Sequence, residues 1–220
     1  MLQVRELREY VWVCLERLEA GDWAGDSGPG IRDSGFGLPA VAQAPPAAQV
    51  TTISVSIQRA YAGVKTNLTQ AAEKMPEADY GFKPSTMTEV RTYGQLFAHV
   101  ANAQYGSCAA AKGVANPNQG RNLEILLKTK AEFIKALADS FAFCDDAYAA
   151  LTEANANEPV TQGRGQIARA ALLANNVTHD NEMYGTCAVY LRAKNIVPPS
   201  TEGATMGRGA PAGGRGRGGQ

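Results

Sequence analysis

Between Thr51 and Val197 the apolar residues return every three or four positions almost without interruption, and a chain patterned this way must bury stripes of helix against one another. Turn residues divide the pattern into four segments. The first runs from about Thr52 to Lys74 on Ile53, Ile57, Tyr61, Val64, Leu68, Ala72 and Met75, and Pro76 ends it. Residues 76–91, with Tyr80, Phe82 and Pro84, read as a loop folded over one bundle end. Thr92-Tyr93-Gly94-Gln95 has the spacing of a capping box for a second helix, which reaches about Lys112 and stops at Gly113. The third is expected to be the longest, an unbroken rhythm of Leu123, Leu127, Ile134, Leu137, Phe141, Cys144, Tyr148 and Leu151. The fourth is expected to start near Gly165, to be apolar on two faces, and to close at Asn195 before Pro198-Pro199. No strand alternation competes, so the expected fold class is all-α, a four-helix bundle with interior positions available to facing side chains.

Composition narrows the function classes. The 21 basic and 21 acidic residues cancel, so no global electrostatic partner is implied. No apolar run approaches the ~20 residues that a membrane-spanning helix needs. The expected organisation is an extension over 1–50, the bundle over 51–201 and a Gly/Arg-rich flexible tail over 202–220. Within the extension, Leu2 to Leu18 has the look of a short helix, and Gly and Pro beyond it predict disorder. Leu38-Pro39-Ala40-Val41-Ala42-Gln43-Ala44-Pro45 reads as the cleavage region of a secretory signal without a preceding apolar core, and equally as a neutral Ala/Pro linker. The tail has Arg208, Arg215 and Arg217 but no aromatic residue to stack on bases, which argues against nucleic acid as a partner.

The chemistry must come from few residues. His99 and His179 are the two histidines, and both fall on core-side positions of their helices. A buried, hydrogen-bonded imidazole is the ordinary reading of each; two on separate helices also make a ligand pair, imidazole being the commonest metal ligand. No Ser-His-Asp arrangement or Walker-type phosphate loop is present, and Gly163-Arg164-Gly165 lacks the lysine and the strand context such a loop needs. Around these residues, Tyr61-Ala62-Gly63-Val64-Lys65, the run Met75 to Pro84, Phe97-Ala98-His99-Val100-Ala101, His179-Asp180-Asn181-Glu182-Met183-Tyr184-Gly185 and the run Tyr190 to Ser200 resemble the DinB-like proteins, a family named for DNA-damage inducibility. The resemblance covers about residues 51–201.

What the resemblance implies is specific. The family fold is an up-down-down-up four-helix bundle with a divalent metal, zinc or nickel, on one histidine of the second helix and two histidines four residues apart on the last. His99 and His179 fall on the first two ligand positions, and Met183 on the third. A neutral thioether suits zinc, nickel or manganese poorly, so the implied site is degenerate. Glu182, three residues after His179, is a substitute oxygen ligand to weigh, and copper(I) a softer ion that two imidazoles and a thioether suit. The implied activity is metal-dependent transfer of a small-molecule thiol to an electrophile, or hydrolase-like chemistry at a bound water. The rival is a noncatalytic bundle holding a small ligand or a protein partner in the same cleft. A homodimer is implied by resemblance alone.

The family's parallel second and third helices also bear on the cysteines. In a plain hairpin Cys144 would stand about 33 Å from the connecting turn and Cys108 about 6 Å from it, whereas in the down-down order they meet. A Cys108 to Cys144 disulfide is therefore expected, or else two ordinary small core residues, with Cys187 unpartnered. The bridge and the resemblance together point to an exported, periplasmic protein.

Overall fold

The computed structural model describes residues 50–207; the readings made for 1–49 and 208–220 lie outside it. Helix α1 spans Ile53–Lys74, with the Thr52 hydroxyl accepting from the Val55 amide at its start. Tyr61, Val64, Leu68, Ala71 and Ala72 form its buried stripe. Met75, ahead of Pro76, is extended and stops it. The following loop carries a single 3-10 turn, Glu77–Asp79, and pins itself to α1 because the Tyr80 hydroxyl donates to the Ala72 carbonyl. Helix α2 spans Tyr93–Lys112 and has both halves of the capping box: Thr92 Oγ1 accepts from the Gln95 amide and Gln95 Oε1 from the Thr92 amide. Gly113 ends it in the left-handed conformation, φ 66°.

The third expected helix is broken. Helix α3 is a single short piece, Leu123–Leu126, and α4 begins anew at Lys130–Ala149. Leu127 between them is extended. The cause is local: the Thr129 hydroxyl accepts from the Glu132 amide while the Glu132 carboxylate accepts from the Thr129 amide, a second capping box that starts a helix where the apolar rhythm suggested continuity. The longest helix is instead α5, Arg169–Ala193.

The expectations of no strand and of a fourth helix near Gly165 are also corrected. Strands β1, Pro159–Gln162, and β2, Gly165–Ala168, pair antiparallel with Val160 opposite Ile167. Gly163 makes the turn at φ 59°, and α5 starts only after β2. Arg169 at that junction donates to the Ala111 carbonyl at the end of α2 and pairs with Glu158 at 2.9 Å. At its other end α5 closes on Asn195 at φ 59°, with the Ile196 amide on the Leu191 carbonyl and the Asn195 amide on the Arg192 carbonyl. Helix α6, Pro199–Gly207, then continues beyond the boundary drawn at residue 201.

Long-range contacts give the helix directions. Gly94 of α2 lies against Phe133 of α4 near their N-terminal ends, and Cys108 and Cys144 meet near their C-terminal ends, so α2 and α4 are parallel. Lys130 Nζ donates to the Glu73 and Met75 carbonyls, while Gln58 Nε2 donates to the Tyr148 carbonyl, so α1 opposes α4. The Tyr190 hydroxyl donates to the Arg91 carbonyl and Arg169 reaches Ala111, so α5 opposes α2. The order is up-down-down-up. Cys108 and Cys144 stand at disulfide distance, their Cα atoms 5.3 Å apart, and Cys187 is buried and free. The crossover from α2 to α4 carries α3 and sets it beside the N-terminal half of α2, which is what places the candidate site.

Candidate metal centre

Antiparallel packing of α2 and α5 brings His99 and His179 together. Their ring centroids are 5.0 Å apart with the planes tilted by 49°. Each side chain keeps a little over a quarter of its surface exposed, so the pair sits at the bundle rim and open to solvent rather than deep in the core.

Each imidazole has a carboxylate near its Nδ1. For His99 it is Glu124 of α3, with Oε1 at 2.7 Å. The other oxygen of Glu124 accepts from Arg91 Nε at 2.7 Å. Partial burial works to raise the Glu124 pKa, but the bonds to Arg91 and His99 outweigh it and hold the carboxyl below the usual range. For His179 the neighbour is Asp180, with Oδ1 at 3.5 Å, a charge contact rather than a hydrogen bond. Asp180 is wholly buried. Its Oδ2 accepts from Gln104 Nε2 at 3.1 Å, and Asn176 donates to the Tyr148 hydroxyl at 2.9 Å, which in turn donates to the Leu173 carbonyl. Burial pushes the Asp180 carboxyl above its ordinary value, with His179 and Gln104 pulling the other way.

The buried polar cluster is incompletely satisfied. Gln104 Oε1, Asn176 Oδ1, Asp180 Oδ1 and His179 Nδ1 are all buried without a hydrogen-bond partner. In an otherwise apolar interior such atoms are costly, and four of them gather around His179 and Asp180.

The other two residues implied as ligands lie on α5, the helix that carries His179. Met183, one turn after His179, is 8% exposed and belongs to the hydrophobic core. Glu182 is exposed on α5. Among the described residues, no three histidine, cysteine, aspartate or glutamate side chains group as a metal cage. The donor set is the histidine pair. Two imidazoles bound through nitrogen to one tetrahedral zinc at ~2.0–2.1 Å place their ring centres about 5.2 Å apart. The separation of 5.0 Å matches that centre-to-centre spacing. The residues fit a divalent ion held by two protein nitrogens, with the remaining positions left to water or a small ligand.

Sequence reasoning missed Glu124, Asp180, Gln104 and Asn176. Asp180 stood next to His179 in the quoted motif, and its neighbour was the signal available; Glu124 enters only because the crossover brings α3 beside α2.

Comparison with known proteins agrees on the architecture. The family model described as the DinB superfamily matches residues 60–187. Among solved structures, the chain is similar to a conserved protein from Enterococcus faecalis, with 11% identity and a TM-score of 0.53, covering 65% of this chain and 97% of that one. At that identity the likeness concerns the fold. No curated protein matches the chain.

Proposed function

This chain belongs to the DinB superfamily, and we propose on that premise that His99 and His179 form a reduced divalent-metal site with open coordination positions. The observation that carries the reading is the 5.0 Å separation of the two rings across the α2/α5 seam. His99 and His179 would hold the ion, zinc or nickel first. Met183, sitting in the core with a thioether, leaves the third family position without an imidazole, so binding is weaker than a three-histidine site gives. Glu182 would have to swing in from solvent to replace it.

When bound, such an ion supplies Lewis acidity that lowers the pKa of a thiol or water at neutral pH. The chain's own part is to bind and orient. Glu124 and Arg91 hold one imidazole, and Asp180 with Gln104 borders the other. The rim position leaves the pair accessible to a small molecule. Thiol transfer to an electrophile is the reaction proposed, and it requires the open position that a two-nitrogen site has. Cys108 and Cys144, at disulfide distance, support an oxidising and therefore exported setting for this protein. Among the described residues, no helix is long and apolar enough to cross a membrane.

The test is a zinc and nickel titration of the wild-type chain, Met183→His and His99→Ala by calorimetry. Binding by wild type that is weaker than Met183→His and lost in His99→Ala is the expected order. Wild type indistinguishable from His99→Ala would overturn the metal reading and leave a noncatalytic bundle.

A further inference from the structure

We infer that Glu124, steadied by Arg91, is a positioning residue for His99: it accepts the Nδ1 proton and so holds the imidazole in the tautomer whose Nε2 lone pair is free toward a cation. The inference deepens the metal reading and rests on it for its purpose, though not for its geometry.

The break between α3 and α4 is what places Glu124. Had the third helix run unbroken, residue 124 would be one more position on a long rod. Instead the Asn122 side chain caps the Glu124 amide and the second capping box at Thr129 restarts the chain, leaving α3 as a separate piece beside α2. Gln95 Nε2 and Asn102 Oδ1 tie α3 to α2 through the Glu124 carbonyl and the Leu123 amide. Glu124 is thereby aimed at His99, and its two oxygens are divided between Arg91 Nε and His99 Nδ1, both at 2.7 Å.

Arg91 stays cationic at every accessible pH and carries only donors, so the carboxylate facing it is kept ionised. An ionised carboxylate only accepts. The proton in the short Glu124–His99 contact therefore belongs to Nδ1, and in the neutral ring Nε2 is left bare. The two ring nitrogens of histidine are not equivalent, and a free histidine side chain in water prefers the opposite tautomer, with the proton on Nε2. Glu124 reverses that preference at the one atom a metal would need, which is how a carboxylate behind a histidine raises its value as a ligand. Nothing comparable fixes His179, whose Nδ1 has no hydrogen-bond partner. His99 is accordingly the pre-organised member of the pair and His179 the adaptable one.

The experiment reads the tautomer directly. Long-range proton–nitrogen NMR of the full chain, stripped with chelator and held at a pH where the histidines are neutral, gives two ring systems, assigned by a His179→Gln variant because the chain has only two histidines. In wild type the His99 proton is expected on Nδ1. In Glu124→Ala it is expected to move to Nε2, and the zinc dissociation constant to rise by roughly 10–100-fold. In Glu124→Gln the single amide oxygen goes to the donor-only Arg91 and the NH2 group faces Nδ1, so the proton is likewise expected on Nε2, with zinc affinity lowered. Should Glu124→Ala fail to fold, Arg91→Ala takes its place, with a mixed tautomer expected. A wild-type proton on Nε2, or a tautomer indifferent to these variants, overturns the inference. The expected tautomers in a chain that binds no zinc would support Glu124 in its role and overturn the metal reading instead.

Discussion

Gly94 on α2 lies against the ring of Phe133 on α4, so close that a Cβ at position 94 would come within 2.5 Å of Phe133 Cε2. This contact lets two parallel helices approach at their N-terminal ends. Alanine is the better helix former by roughly 1 kcal/mol, yet here the added methyl must displace a ring that is only 5% exposed. The clash wins: Gly94→Ala is expected to lower stability by about 1–3 kcal/mol in denaturant unfolding. Adding Phe133→Leu should recover part of the loss, whereas strictly additive losses would show that the two positions do not meet.

The far ends of the same two helices are joined where Cys108 and Cys144 meet, 36 residues apart in sequence. A bridge closing that length of chain restricts the unfolded ensemble by about 2–4 kcal/mol. Reduction, or Cys108→Ala with Cys144→Ala, is expected to lower the unfolding midpoint by that amount while leaving the helical signal unchanged. Alkylation without reductant should leave Cys108 and Cys144 unlabelled and reach the buried Cys187 only after unfolding. Labelling of all three would discard the bridge.

Acid sensitivity has a local source at the start of α1. The Glu153 carboxylate accepts from the Ser54 hydroxyl at 2.6 Å and from the Ser54 amide at 2.8 Å, an anion on the unsatisfied first turn of a helix. The Ser54 hydroxyl and amide together hold its pKa below the ordinary value of 4.5. A carboxyl lowered by folding adds stability that is complete above its unfolded pKa and is lost as the pH falls through the lower folded value. Glu153→Gln should therefore be less stable than wild type at pH 7 and approach it near pH 3. A gap that persisted unchanged at pH 3 would point to lost shape rather than lost charge.

The elements that could be read from sequence are those whose cause is local. Thr92 with Gln95, Pro76, Gly113 and Asn195 all act within a few residues, and the structure has each where the spacing implied. Thr129 with Glu132 carries the same signature, but the recurrence of Leu123, Leu127 and Ile134 ran across it and concealed the break. The hairpin was hidden because Val160 and Ile167 each lie in strands of four residues, too short for alternation to stand out beside a helical rhythm. His99 and His179 were legible as a pair on two helices but were expected on core-side positions; they meet at the rim, through antiparallel packing of α2 and α5. Glu124 was not legible at all, since its partnership depends on where a crossover comes to rest.

Asp180 offers the clearest separation of stability from function. Its carboxylate is fully buried, receives bonds from Gln104 at 3.1 Å and Asn176 at 3.5 Å, and lies 3.5 Å from His179. Burial raises this carboxyl above its ordinary value, so its ionised form is costly in the fold. Asp180→Asn keeps the shape and still accepts from Gln104, but removes the charge, so it is expected to stabilise the fold by on the order of 1 kcal/mol at pH 7. A site that works through His179 should register the same change as a loss, because the imidazole then faces an amide where it faced an anion, and a cation bound on its far side loses that compensation. Denaturant unfolding and zinc titration of the one variant read both quantities. Stability that falls along with affinity would show Asp180 to be an ordinary member of a packed polar network, held for the fold rather than for the ion.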